Sequence, residues 1–479
     1  MTNRFPRLLA PALVALALLA GCSSAPPARE KKPEVVLRTE AHDERAGAEA
    51  AEQVAAEIGL LEDRALTSYV SQIGQRLARH APRGRFSYKF QVVDQDAPNA
   101  FALPGGYIFV SRGLLVLSNS EDQLANVIGH EIVHVARRHA AARQSLMRGI
   151  PALFRYAAMG QVISYSRDQE READRLGQGL SAVAGFDPQG MAGFLKNLDY
   201  TERLRLGHSR MPGYFDTHPT TGERVAAARA RARSVSWKRQ PAIAGDRNSY
   251  LRRLDGLVVG TASTEGVFAG DRFLHPELGF SMRFPAGWEL ANTRRAVGAI
   301  SPRRDGQVFL EFQGRGSDPE QASAEFIEEA RGQGLRIESS RPLRIGEFAA
   351  FRALGRAARV GIHLTWIARE GAIYRLTGVV RGSSGQLEGI FNNVARSFRP
   401  LTSKERASIR ETRLRLVPAR AEESIAELSR RTGNEWNIQQ TAVMNDVFAN
   451  DRLEAGRLMK IAVSQPYRPD GPDHSGDAR

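Results

Sequence analysis

Residues 127–139 read VIGHEIVHVARRH, and the reading of this stretch decides the fold of the first half of the chain. His130 and His134 stand four residues apart within it. On an α-helix, positions so spaced lie about 40° from each other, so both imidazoles can face one ion. Glu131 follows the first histidine, beside such an ion but not aimed at it, where it can take a proton from a metal-activated water. The surrounding run, Glu121 to His139, has helical apolar spacing, with Ser120 as a suitable N-cap. The competing reading is an amphipathic core helix that happens to carry two histidines.

Two histidines leave a catalytic site incomplete, because zinc in such sites takes three protein ligands and keeps one open position. Arg137 and Ala140 stand where a longer three-histidine motif would need glycine and histidine, which excludes that motif. His139 falls on the helix face opposite His130 and is expected to face solvent. The third ligand should come from a later helix, and SYSRDQEREADRLG (164–177) supplies one. Glu170 and Asp174 are again four apart, so one carboxylate can bind metal while the other steadies an imidazole. Arg167, Arg171 and Arg175 on the same run keep open a second reading, a solvated helix of paired charges.

The chain of 479 residues has room for about three domains. Its 42% hydrophobic and 25% charged content is that of a chain able to bury real cores. Cys22 is the only cysteine, so no intrachain disulfide can form. Arg4 and Arg7, the apolar run Leu8–Leu18 and then Leu19-Ala20-Gly21-Cys22 resemble a bacterial lipoprotein signal. That resemblance implies cleavage after residue 21, lipidation of Cys22 and a periplasm-facing protein. Ser23 follows Cys22 with no aspartate, which favours anchoring to the outer membrane. Loss of the leader's two arginines lowers the formal charge from +14 to +12. A basic balance of this size can signal nucleic acid, but an exported lipoprotein points instead to anionic envelope surfaces, or simply to a solvated basic face.

Along the chain, 22–40 reads as a tether and 41–235 as a mainly helical unit with a small sheet. Within it, FSYKFQVVD (86–94) and Tyr107–Val110 read as strands, and 140–163 as a further helical stretch. Residues 236–265 look like a connector. The segment 266–401 mixes alternating strands with helices near 318–334 and 385–398, an α+β pattern. Residues 410–465 read as a strand–helix–helix–strand unit, and 466–479, rich in Pro, Asp and Gly, as a disordered tail.

His130-Glu131-x-x-His134 followed by Glu170-x-x-x-Asp174 resembles the gluzincin peptidases related to HtpX, the CAAX prenyl protease and BepA. Asn99-Ala100-Phe101-Ala102-x-Pro104-Gly105-Gly106 is similar to the segment that these enzymes place before the active-site helix. No long apolar span follows residue 21, so the periplasmic branch fits better than the membrane-embedded ones. The resemblance implies a zinc endopeptidase with one Zn(2+) per chain. His130, His134 and Glu170 would be its ligands, Glu131 its general base and acid, and Asp174 a support behind a histidine. It also implies that Tyr107–Ser111 forms the cleft edge, where Asn99, Tyr107, Ile108 and Phe109 would meet an extended substrate backbone. Thr217-His218-Pro219 resembles a segment whose histidine occupies the open zinc position, which would make His218 a reversible fourth ligand or latch.

Farther on, LGFSMRFPAGWEL and FNNVARSFRPL resemble the small α/β fold of PsbP-like domains, with no site chemistry. His275 and His363 are lone and expected to be structural. Residues 413–463 resemble a LysM module, although Ala421-Glu422 replaces its usual Gly-Asp. Peptidoglycan contact, protein binding and plain packing all stay open for it.

The leading expectation is therefore an envelope zinc endopeptidase acting on unfolded or misassembled envelope proteins, held to the membrane by lipid and not binding nucleic acid. The alternatives are a latched, largely non-proteolytic chaperone and a peptidoglycan-associated scaffold.

Overall fold

A computed structural model of the chain describes residues 40–81, 86–139, 166–205, 218, 222–332, 334–357, 360–381 and 385–468. Cys22 and its leader, the tether, the helical stretch expected over 140–163 and the end of the tail lie outside the described residues. Among the described residues, no helix is long and apolar enough to cross a membrane.

The N-terminal unit is mainly helical, as expected. Helices α1 (Glu40–Glu57) and α2 (Arg64–Ala78) precede a sheet of β1 (Lys89–Val93), β2 (Ala100–Leu103) and β3 (Tyr107–Ser111). Asp63 opens α2 by accepting from Leu66 N, and the stripe Leu66, Tyr69, Val70, Ile73 and Leu77 is buried against the sheet and the later helices. The sheet order is β1-β3-β2, with β1 parallel and β2 antiparallel to β3. The strand expected at the cleft edge, Tyr107–Ser111, is therefore the central one. Both its edges carry ladder hydrogen bonds, so Tyr107, Ile108 and Phe109 have no free backbone for a substrate. The edges belong to β1 and β2, because the chain returns through Pro104-Gly105-Gly106 and inserts β3 between its neighbours.

Helix α3 (Arg112–Leu117) leads into α4 (Glu121–Ala136), which Ser120 caps by accepting from Gln123 N. Helix α5 (Arg167–Val183) starts at a reciprocal cap between Ser166 and Gln169. It is followed by α6 (Gln189–Arg205) and α7 (Gly222–Ser234). Helices α4 and α5 approach closely because glycines meet at the crossing. A Cβ on Gly177 would lie 2.8 Å from His130 N, and one on Gly129 would lie 3.0 Å from Gly177 O. That closeness brings the acids of α5 onto the histidines of α4.

Residues 236–265 do more than connect. They carry α8 (Arg247–Arg252), and Tyr250, Leu251, Leu254 and Leu257 sit in the same core as α2 and α4. Glu121, in the first turn of α4, accepts from Ile243 N (2.8 Å), Ala244 N (2.7 Å) and Tyr69 Oη (2.7 Å), which fastens this segment to the helix start.

The middle unit is α+β. Strands β4 (Val267–Ala269), β5 (Arg272–His275) and β6 (Phe280–Arg283) form a small sheet with β14 (Arg399–Pro400). A seven-stranded antiparallel sheet runs in the order β10-β11-β12-β13-β9-β8-β7. Its members are β7 (Glu289–Asn292), β8 (Ala296–Ile300), β9 (Gly306–Arg315), β10 (Arg336–Ile345), β11 (Phe348–Ala357), β12 (Val360–Arg369) and β13 (Ala372–Arg381). Alternation along the long strands builds two cores. Ile362, Leu364 and Trp366 pack with Phe326 of α9 (Pro319–Arg331), while Tyr374, Leu376 and Val380 pack with Phe391 of α10 (Gly385–Arg396). His275 lies against Phe273 and Phe280, and burial pushes its imidazole down to about 4.

After α11 (Ser403–Ser408), the last unit has the expected strand–helix–helix–strand order: β15 (Arg410–Pro418), α12 (Ile425–Thr432), α13 (Ile438–Asn445) and β18 (Leu458–Pro466). The short strands β16 (Glu423–Ser424) and β17 (Arg452–Leu453) pair between them. This unit is welded to the N-terminal one. Leu414, Trp436, Met444 and Ala462 belong to the core of α2–α4. The fully buried Lys460 donates from Nζ to Val116 O (2.6 Å) and Ser118 O (3.0 Å), closing the C-terminal end of α3.

Candidate metal centre

The structure brings together His130, His134, Glu170 and His218, all buried, with one donor atom from each inside a 4.8 Å span. His130 and His134 approach through their Nε2 atoms at 2.9 Å. His134 Nε2 lies 3.4 Å from Glu170 Oε1, and His218 Nδ1 lies 2.8 Å from the same oxygen and 3.2 Å from His130 Nε2. Four donors at zinc–ligand distance around one tetrahedral centre would sit about 3.3 Å apart, so the set is sized for that ion. The chemistry of the set agrees: three imidazoles and one carboxylate, all common zinc ligands, converge on one point.

The electrostatics favour the ligand-ready forms of His134 and Glu170, whereas at His130 burial is outweighed by Asp174, Glu170 and Glu131, which raise its imidazole. Burial, helped by the neighbouring His130 and His218, lowers the His134 imidazole well below its ordinary value, which keeps it neutral. Burial alone would raise the Glu170 carboxyl, but His218, His134 and His130 outweigh it and hold the group well down. Glu131 is buried beside the cluster, with Oε1 3.5 Å from His218 Nε2, and points into the same space.

Asp174 stands behind the donors. Its Oδ1 is 3.1 Å from His130 Nδ1, so the latter can donate outward while Nε2 faces the cluster. Burial would raise the Asp174 carboxyl, but Arg224 binds both its oxygens and brings it down to about 2. Arg224 also reaches Glu170 Oε2 at 2.9 Å and donates to His218 O at 3.3 Å. Sequence reasoning missed Arg224. An arginine six residues after His218 has no motif of its own, and only the fold places it against α5.

Two expected positions change. His139, expected to face solvent, is buried with Nδ1 3.0 Å from His134 Nδ1. Helix α4 ends at Ala136 and Arg138 adopts a left-handed φ of 55°, so helical spacing no longer places residue 139. Asn99 is buried in the turn before β2. Its amide nitrogen donates to Ser111 Oγ at 2.8 Å and its side chain reaches Gln95 at 3.4 Å, a role in shaping the strand entry.

Residues 64–232 match the model of Peptidase family M48. All four donors of the cluster fall within this matched segment. The chain is 34% identical over 202 residues to the beta-barrel assembly-enhancing protease of Escherichia coli K12, covering 37% of this chain and 41% of that one. It is 32% identical over 209 residues to the Yersinia pestis protein of the same name, covering 38% and 42%. It is 30% identical over 174 residues to the mitochondrial metalloendopeptidase OMA1 of Schizosaccharomyces pombe, covering 33% and 51%. The chain thus spans about two fifths to one half of the length of these relatives.

Proposed function

We propose that this chain is a zinc-dependent endopeptidase of the bacterial envelope, normally held closed by His218. The carrying observation is the buried four-donor cluster with Glu131 beside it. His130, His134 and Glu170 would hold one Zn(2+), and His218 would fill the fourth position at rest. Bound zinc would supply Lewis acidity to a water and to the scissile carbonyl. Glu131 takes the proton of the attacking water and delivers it to the leaving amine. Asp174 keeps the His130 imidazole oriented, and Arg224 keeps Asp174 ionised.

Substrate backbone would pair along β2, Ala100–Leu103, in place of the buried strand after it. This edge has no strand partner other than β3 among the described residues, and Ala102 and Leu103 line a small pocket together with His134 and Val135. Pairing of this kind reads backbone more than side chains and suits unfolded or misassembled clients. The names of the Escherichia and Yersinia relatives, beta-barrel assembly-enhancing proteases, support β-barrel proteins as the client class. The lipid anchor at Cys22, the outer-membrane location, a PsbP-like fold for 266–401 and a LysM-like module at 410–465 belong to the same reading.

The test is zinc content and cleavage of an unfolded outer-membrane barrel by wild type and Glu131→Gln. We expect both to hold one zinc and only wild type to cut. Full zinc in both, with equal client stabilisation and no cleavage by either, would overturn the peptidase reading in favour of a latched chaperone.

A further inference from the structure

We propose that His139 and Glu172 form a positioning relay that fixes the second imidazole, His134, as a metal ligand. The inference rests on the zinc reading above and adds residues that the donor set does not contain.

The relay begins where α4 stops. The backbone N–H of His139 donates to His134 O at 3.0 Å and closes the helix end. That closure needs a left-handed residue at 138, where glycine is the usual choice. Arg138 takes it instead, with a φ of 55°. Its guanidinium reaches Asp43 of α1 at 2.5 Å, which holds the turn in place. The turn folds His139 back over the helix it has just left.

The proton pattern follows from the geometry. His134 Nε2 faces the other donors, so a neutral ligand imidazole carries its proton on Nδ1. That atom lies 3.0 Å from His139 Nδ1, and the two rings cross at 72°. Only one proton fits between the two nitrogens. His139 Nδ1 must accept, which puts the His139 proton on Nε2. Nε2 lies 3.3 Å from Glu172 Oε2, and Glu172 also meets Arg137 Nε at 3.1 Å. Each group in the line therefore has one compatible tautomer, running from the buried ligand to a carboxylate one third exposed.

The two ligand histidines are thus supported differently. His130 has a carboxylate directly behind it, Asp174, buried and paired with Arg224. His134 has an imidazole behind it and a carboxylate one step farther out. Helix α5 supplies all three acids, and Glu170, Glu172 and Asp174 each take a different station. Outer partners of ligand histidines fix ring orientation and raise donor strength, and their loss lowers metal affinity about 10- to 100-fold.

The test measures zinc release to a chelator from the full chain, with cobalt-substituted visible spectra and thermal unfolding of the metal-free protein alongside. His139→Phe keeps a ring but offers no acceptor, and should release zinc about 10- to 100-fold faster with altered cobalt bands. His139→Asn places an amide oxygen near the lost Nδ1 and should recover part of that loss. Glu172→Gln, at a position one third exposed, should give a smaller loss with unchanged folding. The relay is overturned if His139→Phe releases zinc at the wild-type rate. It is also overturned if His139→Asn is no better than His139→Phe while both metal-free proteins unfold as wild type does. Wild type that takes up no zinc overturns the relay together with the zinc reading, whereas the first two results overturn the relay alone.

Discussion

Arg224 grips Asp174 through both carboxylate oxygens, at 2.7 and 2.8 Å, while Asp174 faces His130 Nδ1 at 3.1 Å. A guanidinium fork matches a carboxylate in this way and an ammonium does not. Arg224→Leu leaves Asp174 and one oxygen of Glu170 without their cation inside the protein. The metal-free protein should lose about 3–5 kcal/mol, the range for breaking a buried pair from one side. Arg224→Lys should recover only part. Urea unfolding of the metal-free variants checks both, and a loss below about 1 kcal/mol for Arg224→Leu would contradict the role of the pair.

His218→Ala removes one of four donors and leaves the other three. Zinc content should stay near one per chain, and cleavage of an unfolded client should rise severalfold. Unchanged or lower cleavage with intact zinc would count against the latch.

Gly177→Ala tests the helix crossing. Its new methyl would lie 2.8 Å from His130 N and 2.9 Å from His130 Cα, both backbone atoms that cannot swing aside. Overpacking of this kind costs about 1–3 kcal/mol. Because α5 carries Glu170 and α4 carries the histidines, zinc retention should fall together with thermal stability. Gly179→Ala is the control, since nothing lies within 4 Å of its methyl.

His275 titrates apart from the metal centre. Burial lowers its folded value from 6.5 to about 4. Between those values the unfolded chain binds a proton that the folded chain refuses, so stability is fully present above 6.5 and falls as pH drops towards 4. The loss should approach about 3 kcal/mol across that window. His275→Asn, whose amide oxygen can accept from Leu278 N as His275 Nδ1 does, should flatten the middle unit's denaturation midpoint from pH 7 to 4. An unchanged slope would show that other groups set it.

The sequence made the helix of His130 and His134 legible because a metal ligand pair imposes the same spacing as the helix itself. Glu170 and Asp174 were legible for the same reason, and the two-sided burial of the middle strands follows from their alternation. What stayed hidden depends on contacts between distant segments or on where periodicity stops. Tyr107–Ser111 reads as a strand, but only the return through Pro104-Gly105-Gly106 makes it central. His139 departs from the expected face because helical spacing stops at Ala136, and the left-handed Arg138 turns the chain just before it. Arg224 and Lys460 lie in runs with no motif, and their partners are 50 and 344 residues away.

Lys460 also sets an order of events. A chain leaves the ribosome N-terminus first, so α3 and the histidine-bearing helix exist long before the lysine that closes the end of α3 is made. Until β18 docks, the carbonyls of Val116 and Ser118 lack their buried cap, and the early core lacks Leu414, Trp436 and Ala462. The helix that bears the histidines therefore gains its full packing only when β18 docks, and a polypeptide that stops upstream of β18 would lack part of the core around that helix.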